Sequence, residues 1–543
     1  MKRFLTVLIL SLSLIFAVSC TIDDADLDET DDFGNSGNTG DSGDTGDTGD
    51  TGNTGNTGDT GNTGNTGDTG NTGNTGDTGN TGDTGNTGNT GNTGDTGDTG
   101  NTGDVPDIPL NPSNQWGTSG GDAGKALALD SEGNLFIAGI TIGNLDGQMC
   151  VMGNDNQCSQ DIFLSKWKGG FKIWTKQWGS NQTEVVSEMV IDSEDNVYIA
   201  GFTGGNLPGQ TCVTDSEGNC DGDIFVVKLD KEGNELWTKQ WGGEDIDGAS
   251  DIALDHEGNI IVSGASRGSI DDAENTGGAT CQSMADGYRE TGGLKCYDSY
   301  VAKLSPENGD IIWHKMWGTQ YWDESVGVAV DADGNIFVTG AVGVPQMDGE
   351  TVTAIDVQAH LTKFDKDGNI VWEDVFGTEE DDYGFDVALD SDGNVYGCGK
   401  TKSGLNGNST LGKTGEFDLY IIKYDNDGNQ DWTTQFGSDK SEEANHIEIG
   451  SDNLIYVAGQ TGGAINGSSH TGLLGNDPFV AKFDMDGNLQ WANLNGTGQN
   501  DMLSGMLISP DNDIYLTGET YAAYPGLVSA GGRDIFLLYY PAE

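Results

Sequence analysis

The sequence predicts an all-β protein: a seven-bladed β-propeller of four-stranded blades, preceded by a signal peptide and a disordered tether rich in Gly, Thr, Asp and Asn. Three observations predict it. An aromatic-Gly pair recurs six times beyond Val105, and a seventh slot holds Asn495-Gly496. Each interval has room for four short strands. The first unit begins with only its last strand, and the final unit stops before that strand, so the two ends complete one blade.

The pairs are Trp116-Gly117, Trp178-Gly179, Trp241-Gly242, Trp317-Gly318, Phe376-Gly377 and Phe436-Gly437, spaced with the seventh slot at 62, 63, 76, 59, 60 and 59 residues. Within a unit, strand A is an alternating run such as Asp251 to Asp255, and strand B runs as Asn394 to Gly399. Strand C follows a longer loop, as in Asp223 to Leu229, and strand D runs as Glu235 to Trp241. Acidic-x-x-Gly-Asn turns join A to B and C to D, because Gly supplies the positive φ a tight hairpin needs. Trp237 and Trp241 stand four apart in a strand, share a face and are placed to pack on the neighbouring blade. Closure pairs a strand near Ser113 to Trp116 with Asp534 to Tyr540. A glycine recurs in every strand B (Gly139, Gly201, Gly264, Gly340, Gly399, Gly459 and Gly518), which implies a bulge or a close backbone approach. Cys398 takes a slot filled elsewhere by Ala, Ser or Thr and is expected as a small buried residue.

Residues 1–19 read as a signal peptide, with Lys2 and Arg3 before an apolar run from Phe4 to Val18. Ala17-Val18-Ser19-Cys20 resembles the bacterial lipobox, which implies diacylglycerol on Cys20 as the only membrane anchor. Thr21 is not the aspartate that retains lipoproteins in the inner membrane of some bacteria, so the outer membrane is expected. Residues 20–33 form an acidic mature N-terminus and residues 34–104 a low-complexity linker, with glycine at every third position from Gly34 to Gly103. Without apolar side chains that tract cannot bury a core, and about 70 such residues span roughly 45 Å as a coil. Collagen shares the glycine period, but the tract has no proline to pre-set polyproline geometry. Residues 105–543 carry the propeller.

A formal charge of −64, with 24 Lys and Arg, excludes a nucleic-acid phosphate backbone as partner and disfavours an anionic lipid surface. It leaves cations, neutral glycans and proteins. Six cysteines fall in close pairs, Cys150 with Cys158, Cys212 with Cys220 and Cys281 with Cys296. Their spacings exceed those of zinc knuckles, and disulfides that staple loops in an exported protein are expected.

The pattern Asp-x-x-Gly-Asn-Val-Tyr-x-x-Gly-x-Thr, then Asp-x-Phe-Val-x-Lys, then Gly-x-x-x-Trp resembles the bacterial SBBP-type beta-propeller repeat over residues 113–543. That resemblance implies a propeller in exported bacterial proteins and no chemistry. Trp-Gly stands here where that family has Gly-Gly. The strand C to strand D pattern also resembles the tryptophan-docking repeats of quinoprotein dehydrogenases and of non-catalytic outer-membrane assembly propellers. Seven units, with no adjacent cysteines, depart from the former.

Two acidic patterns are candidates for a site. An acid opens each unit: Asp122, Glu184, Asp247, Asp323, Asp382, Glu442 and Asp501. As a ring near the inner-strand entrance these would hold calcium or attract a cationic ligand; as scaffold each would accept turn amides. Presence in all seven units favours scaffold. The Asp-x-Asp-Gly-Asn turns at Asp365, Asp425 and Asp484 start like an EF-hand loop but lack its closing bidentate Glu, so hairpin turns are expected. No His-x-x-x-His pair, nucleophile elbow or phosphate loop appears among the motifs, and His256, His314, His360, His446 and His470 are read as isolated.

The B–C loops differ between blades and hold the cysteine pairs, so the face they share is the expected binding surface. Its longest insertion, Gly268 to Tyr297, offers Tyr288, Arg289 and Glu290 as contacts. The expected function is a non-catalytic, monomeric envelope lipoprotein that binds a protein or glycan. An envelope scaffold and an enzyme acting on an extracellular polymer are the alternatives, and an asymmetric acidic cluster in the central channel, with a substrate-shaped groove, would favour the enzyme.

Overall fold

The computed structural model describes residues 114–542 apart from 216, 271–295, 349–350, 409–415 and 466–474. Cys20, the glycine-period tract, Cys281, Tyr288, Arg289 and Glu290 lie outside the described residues. Within them the protein is seven four-stranded antiparallel sheets. Six sheets follow chain order, and blade 1 runs Asp122–Leu129, Leu135–Thr141, Asp161–Lys168 and Phe171–Trp178 as strands A to D. The seventh sheet takes strands A to C from Asp501–Ile508, Ile514–Thr520 and Asp534–Tyr540, and its outer strand from Asn114–Trp116. Closure is therefore as the repeat count predicts.

The closing strand is held by more than its ladder. In strand D of blade 1, Gln177 donates to Asp161 Oδ2 at 2.9 Å and accepts from Leu145 N at 3.1 Å, which anchors the B–C loop. Gln240 and Gln435 do the same in blades 2 and 5. Gln115 repeats the clasp from the other end of the chain, donating to Asp534 Oδ2 at 2.9 Å and accepting from Tyr524 N at 2.9 Å.

Each strand A carries a β-bulge, with register shifts at Gly124/Ala126, Val186/Glu188, Ala249/Asp251, Ser325/Gly327, Gly384/Asp386, Ala444/His446 and Leu503/Gly505. The bulge advances the alternation by one residue. Core residues on either side of it are consequently three apart: Val186 and Met189, Ala249 and Ile252, Ala444 and Ile447. For this reason strand A of blade 3 begins at Asp247, four residues before the alternating run Asp251 to Asp255 that marks it in the sequence.

The recurrent strand-B glycine faces this bulge. A Cβ at Gly139, Gly201, Gly264, Gly340, Gly399, Gly459 or Gly518 would lie 1.8 to 2.1 Å from a strand-A carbonyl oxygen. On strand C the register partner of each glycine is a ring: Phe163, Phe225, Tyr300, His360, Tyr420, Phe479 or Phe536. His360 thus fills blade 4's aromatic slot, buried, with Nε2 3.2 Å from Glu324 O. Cys398 is buried in strand B, as expected.

Blades meet through strand D. Trp237, Trp313 and Trp372 donate from Nε1 to the C–D turn of the next blade, at Pro306 O, Lys366 O and Asn426 O. The turn glycine lies under the indole: at Gly309, with φ 71°, a Cβ would meet Trp237 at 2.8 Å. The strand-C lysine also reaches back to the A–B turn of its own blade, with Lys166 on Asp130 at 3.0 Å and Lys303 on Asp255 at 2.8 Å. This accounts for the last residue of the Asp-x-Phe-Val-x-Lys pattern.

Glycine positions in one strand separate packing from propensity. Gly399→Ala, whose Cβ would sit 1.8 Å from Tyr383 O, is expected to cost at least ~2 kcal/mol. Gly397→Ala, two residues away with its nearest neighbour at 3.3 Å, is expected to cost under ~1 kcal/mol. Urea unfolding of both variants measures the difference.

Candidate functional site: an acidic channel and a loop-bearing face

The seven acids that open strand A are almost fully buried, at 0 or 1% exposure. Each closes the D–A turn. Asp122 accepts from Thr118 N at 2.5 Å, Asp323 from Thr319 N at 2.6 Å, Asp382 from Thr378 N at 2.5 Å, Glu442 from Ser438 N at 2.7 Å and Asp501 from Thr497 N at 2.6 Å. Glu184 takes the Ser180 hydroxyl and Asp247 the Gly243 amide. The hydroxyl that ends strand B adds a second bond, from Thr141, Thr203, Ser266 or Thr461, which explains the Thr of the Gly-x-Thr pattern. None of the seven lines the central channel, and among the described residues no three His, Cys, Asp or Glu side chains lie close enough to hold a metal ion. Each of the seven acts as a turn latch, the scaffold role that the repetition favours.

These latches explain the aromatic-Gly signature. A Cβ on Gly179 would lie 2.5 Å from Glu184 and 2.8 Å from Asp161, the acid that opens strand C. Gly117, Gly242, Gly318 and Gly437 are crowded in the same way by two carboxylates each, and at Gly377 Gln358 replaces one of them. Burial, and then the second carboxylate, push Glu184, Asp247 and Asp323 up to about 7. Burial takes Asp382 and Asp501 to about 6. The exposed turn aspartates behave oppositely. Asp365, Asp425 and Asp484 each accept from the Asn four residues on, by side chain and backbone amide, and are held below the usual carboxylate range.

The inner strands of all seven blades surround a channel of about 460 Å³. Several of its ionisable lining residues come from a slot that carries no mark in the repeat pattern, the residue just after each bulge, beside Glu324, Glu443 and Lys125 from other strand-A positions. That slot holds Ala126, Glu188, Asp251, Gly327, Asp386, His446 and Gly505 in blades 1 to 7. Glu448 projects one layer further on in blade 6. Asp251 accepts from Ile252 N at 2.7 Å and from Val328 N of the next blade at 2.6 Å. Asp386 likewise takes Val387 N at 2.7 Å and Ile447 N at 2.9 Å. Glu188 accepts Met189 N, and Glu448 accepts Ile508 N. His446 Nε2 lies 3.0 Å from Ser504 O and its Nδ1 3.9 Å from Asp386, so it is part of this group rather than isolated. Burial raises the proton affinity of all four acids, and repulsion from the others adds to it at Glu188 and Asp386. Glu448 reaches about 8, while burial lowers His446 to about 4. Variation at one slot, ionisable in four blades and small in three, was the available signal.

The antiparallel strand order puts the A–B and C–D turns on one face and the D–A and B–C connections on the other. The first face repeats an Asp–Asn turn in nine of its connections, with Gly169-Gly170, Ser305 to Asp310, Gly450 to Leu454 and Ser509 to Asp513 as short turns of other composition. The second is elaborated. Cys150–Cys158 and Cys212–Cys220 close the B–C loops of blades 1 and 2, with Cα separations of 5.5 and 5.9 Å. Cys296 is also disulfide-bonded. In blade 4 strands B and C extend into a hairpin, Ile336–Asp348 with Thr351–Phe364, where the sequence suggests a loop. Met149, Met152 and Val528 stand exposed on the B–C loops of blades 1 and 7, at 86, 53 and 82%.

The architecture defines the chain as a seven-bladed β-propeller protein. The family model described as "Collagen triple helix repeat (20 copies)" matches residues 31–107, the glycine-period tract. The regulatory protein FlaEY of Caulobacter vibrioides is 27% identical over 197 residues, covering 32% of this chain and 20% of that protein. An uncharacterized WD repeat-containing protein of Acanthamoeba polyphaga mimivirus is 24% identical over 375 residues, covering 56% of this chain and 27% of its own. The chain thus spans about a fifth to a quarter of the length of these curated relatives. Among solved structures the Dos1 propeller matches at 12% identity and TM-score 0.39, covering 78% of this chain and 95% of its own. BamB from Moraxella catarrhalis matches at 12% identity and TM-score 0.31, covering 80% and 94%.

The two carboxylate populations set a pH optimum for stability. A latch or channel acid whose folded pKa is raised stabilises fully below the ordinary carboxylate range, and that contribution is lost as pH rises through about 6 to 8. The turn aspartates, held low, stabilise above the ordinary range and lose that contribution as pH falls. The thermal midpoint is expected to peak between about pH 4 and 6 and to fall steadily towards pH 8. Calorimetry across that range at constant ionic strength checks it.

Proposed function

We propose that this chain is an exported, lipid-anchored envelope protein of the SBBP-repeat type that binds a protein or glycan partner through the B–C face of its propeller. The observation that carries this reading is the inequality of the two faces. One presents short hairpin turns in every blade, most of them the same Asp–Asn turn. The other carries disulfide-closed loops, a projecting hairpin and exposed Met149, Met152 and Val528. Loops that vary on a rigid scaffold, with apolar side chains held out to solvent, are how a propeller acquires a partner. Acyl chains on Cys20 would provide the anchor, and the glycine-period tract the reach, with the propeller monomeric.

The asymmetric carboxylates of the channel favour a second reading, an enzyme acting on an extracellular polymer. The channel volume of about 460 Å³ is that of a small-molecule pocket rather than a polymer groove. Asp251 and Asp386 are each already engaged by two backbone amides. Binding is therefore preferred over catalysis.

Protease treatment of intact cells is expected to remove the propeller while a periplasmic marker survives, and Cys20→Ala is expected to release the protein from the membrane fraction. Full protection until lysis would overturn the surface-binding reading in favour of a periplasmic scaffold. With a captured partner in hand, replacing Met149 and Met152 by Ser is expected to weaken binding by about tenfold or more without moving the thermal midpoint. Surface plasmon resonance reads the first and calorimetry the second.

A further inference from the structure

The channel carboxylates face one half-buried space, and a cation entering it would favour their charged forms. Glu188, Asp251, Asp386 and Glu448 come from strands A of blades 2, 3, 5 and 6 and face one space, which Glu324 and Glu443 also line. Glu443 is already paired with Lys400 at 2.8 Å, and against the other five acids the lining itself offers one lysine, Lys125. A second observation points to a ligand. Glu324 is 1% exposed, and its Oε2 has no hydrogen-bond partner. Ser504, 7% exposed, has an unpartnered Oγ, and Ser250 Oγ and Asn445 Oδ1 are in the same condition. All four residues line this channel. A buried polar group left unpaired costs on the order of 1–3 kcal/mol, so four around one cavity describe a site built for donors and acceptors that come from elsewhere.

The arrangement also specifies the kind of ligand. A bare metal ion needs at least three ligating groups converging on one point, and among the described residues no such group of His, Cys, Asp or Glu exists. The carboxylates are instead distributed around the wall, near enough for Glu188 to feel the charge of Asp251, Asp386 and Glu448. Val190, Val326, Phe385 and Leu507 provide apolar wall alongside them. We propose that the central channel is a binding site for an aliphatic polyamine, a small molecule carrying ammonium groups several methylenes apart. Its ammonium groups donate to the distributed carboxylates, and its methylene segments lie on the apolar wall. This site is independent of the B–C face and does not need the partner proposed there.

Isothermal titration of spermidine into the full mature chain, at about 0.15 M salt to screen the general negative field, tests the assignment. One saturable site per chain is expected. Glu188→Gln and Glu324→Gln should each weaken it by about tenfold or more, since each removes a charge-assisted hydrogen bond. Glu257→Gln, on an exposed A–B turn, should leave it unchanged. Thermal melts of each variant establish that it is folded; two separate channel variants are used so that failure of one to fold leaves the other decisive. Absence of a saturable site overturns the proposal, as does binding that survives in a folded channel variant. Displacement of spermidine by an equal concentration of calcium would also overturn it, because the site would then belong to a metal ion.

Discussion

The close approach of one glycine to one carbonyl oxygen is the contact on which the rest of this propeller depends. In every blade the strand-B glycine leaves room for the bulged strand A, and the strand-C ring lies across from that glycine. Any side chain at the glycine would push strand A off the sheet. The bulge in turn decides which residues reach the neighbouring blade and which reach the axis, because it moves the alternation by one position. Core packing between blades and the polar lining of the channel are both set by that single step.

Among the described residues of this acidic chain, carboxylates recur in three environments. In the exposed turns an aspartate is surrounded by amides that favour its charge. At the blade junctions two carboxylates crowd the same glycine, and burial raises the proton affinity of the one that opens strand A. In the channel the carboxylates face one another from different blades, with amides of the adjacent strand as their main support. The same side chain therefore serves as a hairpin clamp, a latch or a lining group according to which backbone donors surround it. Among these carboxylates it is only in the last group that the blades stop being equivalent.

Much of this was legible in the sequence. Blade number, strand order, circular closure and the buried place of Cys398 follow from repetition, since repetition exposes any constraint that recurs, and the disulfides of blades 1 and 2 follow from the close spacing of their cysteines. The glycines were legible as close approaches, though not what approached them. Asp251 was visible as the first residue of an alternating run, yet its aim towards the axis was not, because a bulge leaves no mark in a two-residue period. Glu188, Asp386, Glu448 and His446 were hidden for the same reason. Their significance lies in differing between blades, while a search for repeats rewards agreement. The hairpin of blade 4 was hidden because its length reads as a loop until the two strands are seen to pair.

The outer strand of the seventh sheet is only three residues long and comes from the start of the propeller, so Gln115 meets Tyr524 across 409 positions of chain. Each of the other six sheets draws on one contiguous stretch and is free to form by local pairing. Blade 7 alone waits for both ends. Closure entropy makes such a distant pairing slow, so the ring remains open until the last strand is available. Until then two blade edges stay exposed, and the kinetic weak point of the molecule is the junction that its thermodynamic architecture makes look like all the others.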